Sequence, residues 1–238
     1  MKLSFLEKAL AASRAGAAAA LATDLLSGDQ CFIEGDTVTG PLRLDGEAVI
    51  EARRALRDDQ NMTITNGGRK TFVEVFNPRL RCVIVGAVHI AQPLARMAAL
   101  TGYLVTIIDP RSAFASVERF PEVTLTTEWP DDALKSLAPG RRTAIVTLTH
   151  DPKIDDPALA EALRSPAFYI GALGSKKTHA ARLRRLTALG FTEADFARIH
   201  GPIGLDIGAL SPAEIAVSII AEITRTLRAD RLRERAGA

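Results

Sequence analysis

Cysteine is scarce: Cys31 and Cys82 are the two in 238 residues. Two thiols cannot build a disulfide framework or a four-cysteine metal site, and they point to a reducing, cytoplasmic setting. Aromatic residues make up 5% of the chain, too few for a platform that stacks single-stranded bases. Charge is nearly balanced at +2, so no nucleic acid and no anionic membrane is expected as a partner. No run of eighteen apolar residues occurs, so no transmembrane helix is expected. The alanine stretch from Ala17 to Ala22 lacks a leucine-rich core and meets Asp24 at once. It is therefore not read as a signal peptide. Hydrophobic residues are 47% of the chain, enough for one large core or two smaller ones.

The first 77 residues read as a small α+β domain. A helix is expected over Ser4 to Arg14 and another over Glu47 to Arg57. Ala17 to Leu26 is ambiguous by composition. The turn Ser27-Gly28-Asp29 and the strand-like Cys31-Phe32-Ile33 favour a hairpin. Met62 to Thr65 and Thr71 to Phe76 flank Asn66-Gly67-Gly68, a strong hairpin signal. Asn77-Pro78 then marks a boundary. Residues 78–238 alternate short apolar runs with helical segments. Strands are expected at Cys82–Val85, Leu104–Ile108, Val123–Leu125, Ala144–Leu148 and Phe168–Ile170. Helices are expected around Pro93–Leu100, Asp131–Leu137, Pro157–Arg164, Lys177–Leu189 and Glu193–Ile199, and after the cap Ser211-Pro212-Ala213-Glu214. The tail from Arg225 to Arg235 reads as solvated charge. This alternation predicts an α/β class: a Rossmann-like parallel sheet with helices on both faces. Ligands of such sheets bind beyond the carboxyl ends of the strands.

Candidate chemistry sits at those ends. Gly171-Ala172-Leu173-Gly174-Ser175-Lys176-Lys177 follows the aromatic Phe168-Tyr169-Ile170 and opens an Arg-rich helix. A helix start collects anions, and two lysines suit phosphate. Gly86-Ala87-Val88-His89-Ile90-Ala91 has the place of a dinucleotide fingerprint, with Asp109 where a ribose-binding carboxylate belongs. Val88 occupies the position of the glycine that lets backbone approach a pyrophosphate. His89 lies in that loop, suited to phosphate binding or proton transfer. Arg111 suits a phosphate. His150 and Asp151, with Asp155, could hold a metal or orient a base, although no zinc spacing is present. Asp156-Pro157 reads as a helix cap. Asp206 is the single acid in the glycine-rich loop His200 to Gly208, and it is expected to face a ligand.

Six phrases in this order resemble the xanthine dehydrogenase accessory factor family, XdhC/CoxI: Val-Ile-Val-Gly-Ala-Val-His-Ile-Ala (83–91), Ile-Asp-Pro-Arg (108–111), Thr-His-Asp (149–151), Tyr-Ile-Gly-Ala-Leu-Gly-Ser-Lys-Lys (169–177), Pro-Ile-Gly-Leu-Asp-Ile-Gly (202–208) and Ser-Pro-Ala-Glu-Ile-Ala-Val-Ser-Ile (211–219). The resemblance implies a Rossmann-like C-terminal domain after a smaller N-terminal one. It also implies a chaperone that binds molybdenum cofactor, as molybdopterin or its cytosine dinucleotide. Such a protein assists sulfuration with a cysteine desulfurase and delivers the cofactor to an apo molybdenum hydroxylase of the xanthine or carbon monoxide dehydrogenase type. It implies a homodimer. Two departures stand out. Val88 replaces the second glycine of the family's Gly-x-Gly-His loop, and the N-terminal half lacks the family's glycine-rich signature with its cysteine. On this reading Gly86 opens the first loop and Gly171 to Lys177 hold a phosphate. His89, Asp109, His150, Asp151 and Asp206 line the pterin or metal end.

Two other readings compete. One is an NAD(P)-dependent oxidoreductase using the same fold. The defective glycine pattern counts against it, as does the lack of a lysine four residues after Tyr103 or Tyr169. The other is a scaffold with an empty pocket.

Overall fold

The computed structural model describes residues 3–236. They form two compact units that divide between Pro78 and Arg79.

In the first unit, α1 (Leu3–Arg14) and α2 (Gly46–Asp58) cover opposite faces of an antiparallel sheet. The sheet comprises β1 (Ala19–Asp24), β2 (Gln30–Glu34), β3 (Thr37–Thr39), β4 (Met62–Asn66) and β5 (Arg69–Phe76), in the order β3-β2-β1-β5-β4. The alanines that favour helix locally form the central strand β1. Ala20 and Ala22 meet Ala48, Ala52 and Ala55 of α2, while Ala19 and Leu21 meet Phe5, Ala9 and Ala12 of α1. Burial on both faces overrides intrinsic propensity. Gly67 and Gly68, both at positive φ, close the β4–β5 hairpin. The short edge strand β3 was not expected. Three residues with no apolar alternation leave no readable period.

The second unit carries six parallel strands: β6 (Arg81–Val85), β7 (Leu104–Ile108), β8 (Thr124–Thr126), β9 (Thr143–Thr147), β10 (Tyr169–Ala172) and β11 (Ile199–His200). Their order is β11-β10-β9-β6-β7-β8. Counted from β6, this is the strand order of a dinucleotide-binding Rossmann sheet. Alternate residues of the central strand serve two cores. Cys82 and Ile84 pack with α3 (Ala91–Leu100) and α8 (Pro212–Leu227). Val83 and Val85 pack with α4 (Pro130–Leu137), α5 (Pro152–Arg164) and α6 (Lys176–Ala188). A strand wedged between two helical layers is apolar along its interior, which is why residues 82–85 of β6 and 144–146 of β9 read as continuous hydrophobic runs, with Arg81, Thr143 and Thr147 at their ends.

Three boundaries differ from expectation. Helix α5 begins at Pro152, capped by Asp151, and Pro157 lies inside it. Asp156 is therefore not a cap; its carboxylate pairs with Arg185 of α6. Asp-Pro occurs twice within a few residues, and the first pair won because Asp151 accepts a hydrogen bond from the Lys153 N–H. The segment after Gly190 gives only the short helix α7 (Glu193–Phe196), and Ile199–His200 joins the sheet as β11. The charged tail is helical, Ala229–Ala236 forming α9, and no residue described in it is buried. Ser211 caps α8 as expected, with a reciprocal bond to the Glu214 side chain.

Gly171 is buried, and a Cβ there would run into Ile203 and Tyr169. Gly171→Ala should destabilise the protein by about 1–3 kcal/mol. Gly140→Ala, which meets open space, should change stability by less than about 0.5 kcal/mol. Urea unfolding of both variants checks the contrast.

Candidate functional site

A parallel sheet places every strand's carboxyl end along one edge. The segments that follow β6, β7, β9, β10 and β11 therefore share that edge, and they contain the candidate site residues except Gly171, which lies inside β10. The strand order reverses between β6 and β9, where such folds open a crevice.

Two loops form the lips of that crevice. Gly86 leaves β6 at φ 107°, its N–H donating to the Ile108 carbonyl at 2.8 Å. A Cβ at this position would lie 2.5 Å from Thr149 Cγ2. Glycine is required because the lips touch at their base. His89 is exposed on one lip and His150 on the other. His150 adopts φ 63°, a left-handed conformation that few non-glycine residues take. Asp155 of α5 holds it there. One carboxylate oxygen accepts from the Thr149 hydroxyl at 2.7 Å and the Thr149 N–H at 3.3 Å, and the other from the His150 N–H at 3.0 Å. Asp151 turns to its own helix as the α5 cap. Among the described residues, no group of three or more His, Cys, Asp or Glu side chains could hold a metal ion. Asp155 points inward, so it cannot complete a set with His150.

Asp109 is wholly buried and engaged on both oxygens. It accepts from the Ala87 N–H at 2.8 Å and the Arg111 N–H at 3.0 Å, and it takes Arg111 Nε at 2.9 Å and Nη2 at 2.8 Å. Burial alone would raise its pKa, but the Arg111 guanidinium and the two backbone donors hold it below the usual carboxylate range. A ribose would have to displace Arg111 to reach this carboxylate. Arg111 also lies 4.5 Å from the centre of the Phe114 ring. Val88 packs partly against the core of α3. The N-terminus of α3 has no side-chain cap, in contrast to α5, α6 and α8.

Beyond β10, Gly174 at φ 143° turns the chain and Ser175 caps α6, accepting from the Thr178 N–H at 3.1 Å. Lys176 and Lys177 are exposed in the first turn of a helix that carries no acid there. Two cations at the positive end of a helix dipole oppose local stability, and a bound anion would relieve them. Gly171 lies within β10, where Ile203 and Tyr169 leave no room for a Cβ. Asp206, expected as a costly carboxylate within an apolar loop, is exposed to solvent. The loop's apolar residues Ile207 and Leu210 also face outward, so burial never constrains the acid.

Two polar clusters escaped the sequence reading. Glu222, buried in α8, accepts from the Tyr169 hydroxyl at 2.7 Å and the Gly204 N–H at 2.8 Å, and it lies 3.2 Å from His200 Nδ1. The His200 ring stacks on Tyr169 at 4.5 Å. A single acid inside the apolar run Ile215 to Ile223 was the available signal. Arg182 of α6 is also buried. It donates to the Leu173 carbonyl at 2.8 Å and sits 3.6 Å from Asp155. Its helical spacing to Leu186 put it on the buried stripe. One concave region of 530 Å³ lies between α3 and residues 119–123. Those residues precede β8, at the opposite edge of the sheet, and the region contains none of the expected site residues.

Both thiols are inert by environment. Burial pushes Cys31 up to about 11 and Cys82 up to about 12. Neither should be alkylated by iodoacetamide at pH 7.5 until urea unfolds the protein, which mass spectrometry would read. His179 packs against Gly201, and burial first, then Arg182, hold its pKa below 6.5. A depressed histidine binds fewer protons folded than unfolded, so its share of stability is complete above pH 6.5 and is lost as pH falls below that value. The thermal midpoint should therefore drop between pH 7 and pH 5.5, and His179→Gln should flatten that slope.

Comparison with known proteins places this architecture. Residues 82–223 match the family described as the XdhC Rossmann domain. A Bacillus subtilis protein described as a probable xanthine dehydrogenase subunit is 35% identical over 156 residues, covering 65% of this chain and 45% of that protein. The molybdenum cofactor insertion chaperone PaoD of Escherichia coli is 33% identical over 150 residues, covering 62% and 40%. An uncharacterized E. coli protein, YqeB, is 33% identical over 159 residues, covering 66% and 29%. The chain thus spans less than half the length of these curated relatives. The crystal structure of a Bacillus halodurans protein described as a xanthine dehydrogenase superposes with a TM-score of 0.68 at 24% identity, over 95% of this chain and 64% of that one. That likeness concerns the fold.

Proposed function

This chain belongs to the XdhC Rossmann-domain family, and from that membership we propose that it is an accessory protein in the maturation of a molybdenum hydroxylase. Its cargo is molybdenum cofactor, a phosphate-bearing pterin, as molybdopterin or its cytosine dinucleotide. The observation that carries this reading is the pair of exposed imidazoles, His89 and His150, on the two lips of the strand-order reversal. Lys176 and Lys177 lie along the same edge, on the far side of β9 from His89.

The chemistry of these groups suits the cargo. Lys176 and Lys177 present point charges to a phosphate beside the free amides of a helix start. The uncapped start of α3 offers a second such place. His89 and His150 can donate to or accept from the pterin end, and the exposed Asp206 can accept its amine and ring N–H groups. Gly86 and Gly174 shape the loops, and Ser175 and Asp151 hold the starts of α6 and α5. Asp109 and Arg111 act together as the clamp under the first lip. The molybdenum and dithiolene chemistry is the cargo's own. Cys31 and Cys82 are buried, and any sulfuration would use a partner cysteine desulfurase. The recipient would be the apo hydroxylase. The protein would act as a cytoplasmic homodimer.

A nicotinamide-dependent oxidoreductase fits less well. Val88 occupies the place where backbone should meet a pyrophosphate, and Asp109 has no free oxygen for a ribose. No helix among the described residues is long and apolar enough to cross a membrane.

The test is direct titration with molybdenum cofactor released from a purified molybdoenzyme, followed by pterin fluorescence, with NADH and NADPH in parallel. Cofactor should bind and the dinucleotides should not. Lys176→Ala with Lys177→Ala should weaken binding at least about tenfold, or roughly 1.4 kcal/mol, and reduce its salt dependence. Saturable NADH binding with no response to the cofactor would overturn the reading.

A further inference from the structure

Helices α5 and α6 are joined by two ion pairs of different character. Asp156–Arg185 is partly exposed, with the Arg185 side chain 40% accessible. Asp155–Arg182 is sealed, at 2% and 1%. The sealed pair is poorly satisfied. Arg182 Nε and Nη1 find no acceptor among the described residues. Nη2 stands 3.6 Å from Asp155, beyond a good hydrogen bond. A buried ion pair in this condition adds little or nothing to stability, and an apolar pair of the same volume would do as well or better.

What the pair does accomplish is geometric. Asp155 holds the Thr149–His150 turn through three hydrogen bonds and keeps His150 in its left-handed conformation. Arg182 holds the Leu173 carbonyl, two residues before the Ser175 cap and three before Lys176. One arm of the candidate site therefore hangs on Asp155 and the other on Arg182, and the two anchors face each other beneath the sheet edge. We infer that Asp155 and Arg182 are positioning residues that couple the His150 loop to the Lys176–Lys177 loop, so that displacement of either loop is felt by the other. The inference rests on the cofactor-handling reading only for its purpose, not for its geometry.

Coupling has a signature that a local structural role lacks: each variant should loosen the loop it does not touch. The full chain would be compared as wild type, Asp155→Asn, Arg182→Met and Arg185→Met, with amide hydrogen exchange read over residues 148–151 and 173–178. Asp155→Asn should speed exchange over 173–178 on the order of tenfold, and Arg182→Met should do the same over 148–151. Arg185→Met cuts the neighbouring pair between the same helices and should leave both loops unchanged. Each anchor variant should also bind released molybdenum cofactor about tenfold more weakly. Stranding one buried charge can prevent folding. In that case Arg182→Lys, which restores a charge, and the combined Asp155→Asn, Arg182→Met protein, which strands none, carry the test. The combined protein should fold yet exchange fast in both loops, and Arg182→Lys should be intermediate. The inference is overturned if each variant loosens only its own loop, if Arg185→Met loosens both equally, or if the combined protein keeps wild-type exchange. If wild type itself binds no cofactor, the functional reading falls while the exchange result still decides the coupling.

Discussion

The structure of the second unit depends on the burial of β6 between two helical layers and between two parallel neighbours. Val83 and Val85 face one core, Cys82 and Ile84 the other, and β7 and β9 occupy both hydrogen-bonding edges. The interior of such a strand has no place for an unpaired charge, so its chemistry is displaced to the residues that follow it. Because β7 lies to one side and β9 to the other, the chain must diverge at that point. The divergence makes the crevice, and every candidate group described above stands at its rim or along the same edge.

Close packing at the base of the crevice sets which residues are possible there. Gly86 has no room for a side chain because Thr149 fills it, and Gly171 has none because Ile203 and Tyr169 do. These glycines look alike in the sequence as parts of glycine-rich loops. Each marks a close approach of two protein segments. His89, His150, Lys176 and Lys177, by contrast, carry their functional groups into solvent.

Buried carboxylates do much of the organising. Asp109, Asp155 and Glu222 each accept hydrogen bonds from both backbone N–H groups and side chains. Asp109 draws Arg111 and Ala87 together under the first lip. Asp155 shapes the second. Glu222 ties the loop after β11 to β10 through Gly204 and Tyr169. In each case the carboxylate satisfies N–H groups that a tight turn leaves without partners, which is how irregular backbone survives at a buried edge.

Much of this was legible from residues alone. The continuous apolar runs of β6 and β9, the alternation with helices, the Gly67-Gly68 turn and the Ser211–Glu214 cap are local patterns, and local patterns follow from backbone and side-chain chemistry within a few residues. The alanines of β1 are ambiguous by composition, but the turn after them points to the hairpin that β1 and β2 form. Asp156 reads as the start of α5, and only the hydrogen bond that Asp151 accepts from the Lys153 N–H places that start at Pro152. The sequence by itself determined that a parallel, doubly covered sheet would form, and that histidines, lysines and acids would cluster after its strands. Only the tertiary structure decided which of those groups face solvent and which are consumed as struts. Whether a carboxylate such as Asp109 or Asp206 is engaged or open depends on partners that arrive from other elements, and no spacing along the chain encodes their distance.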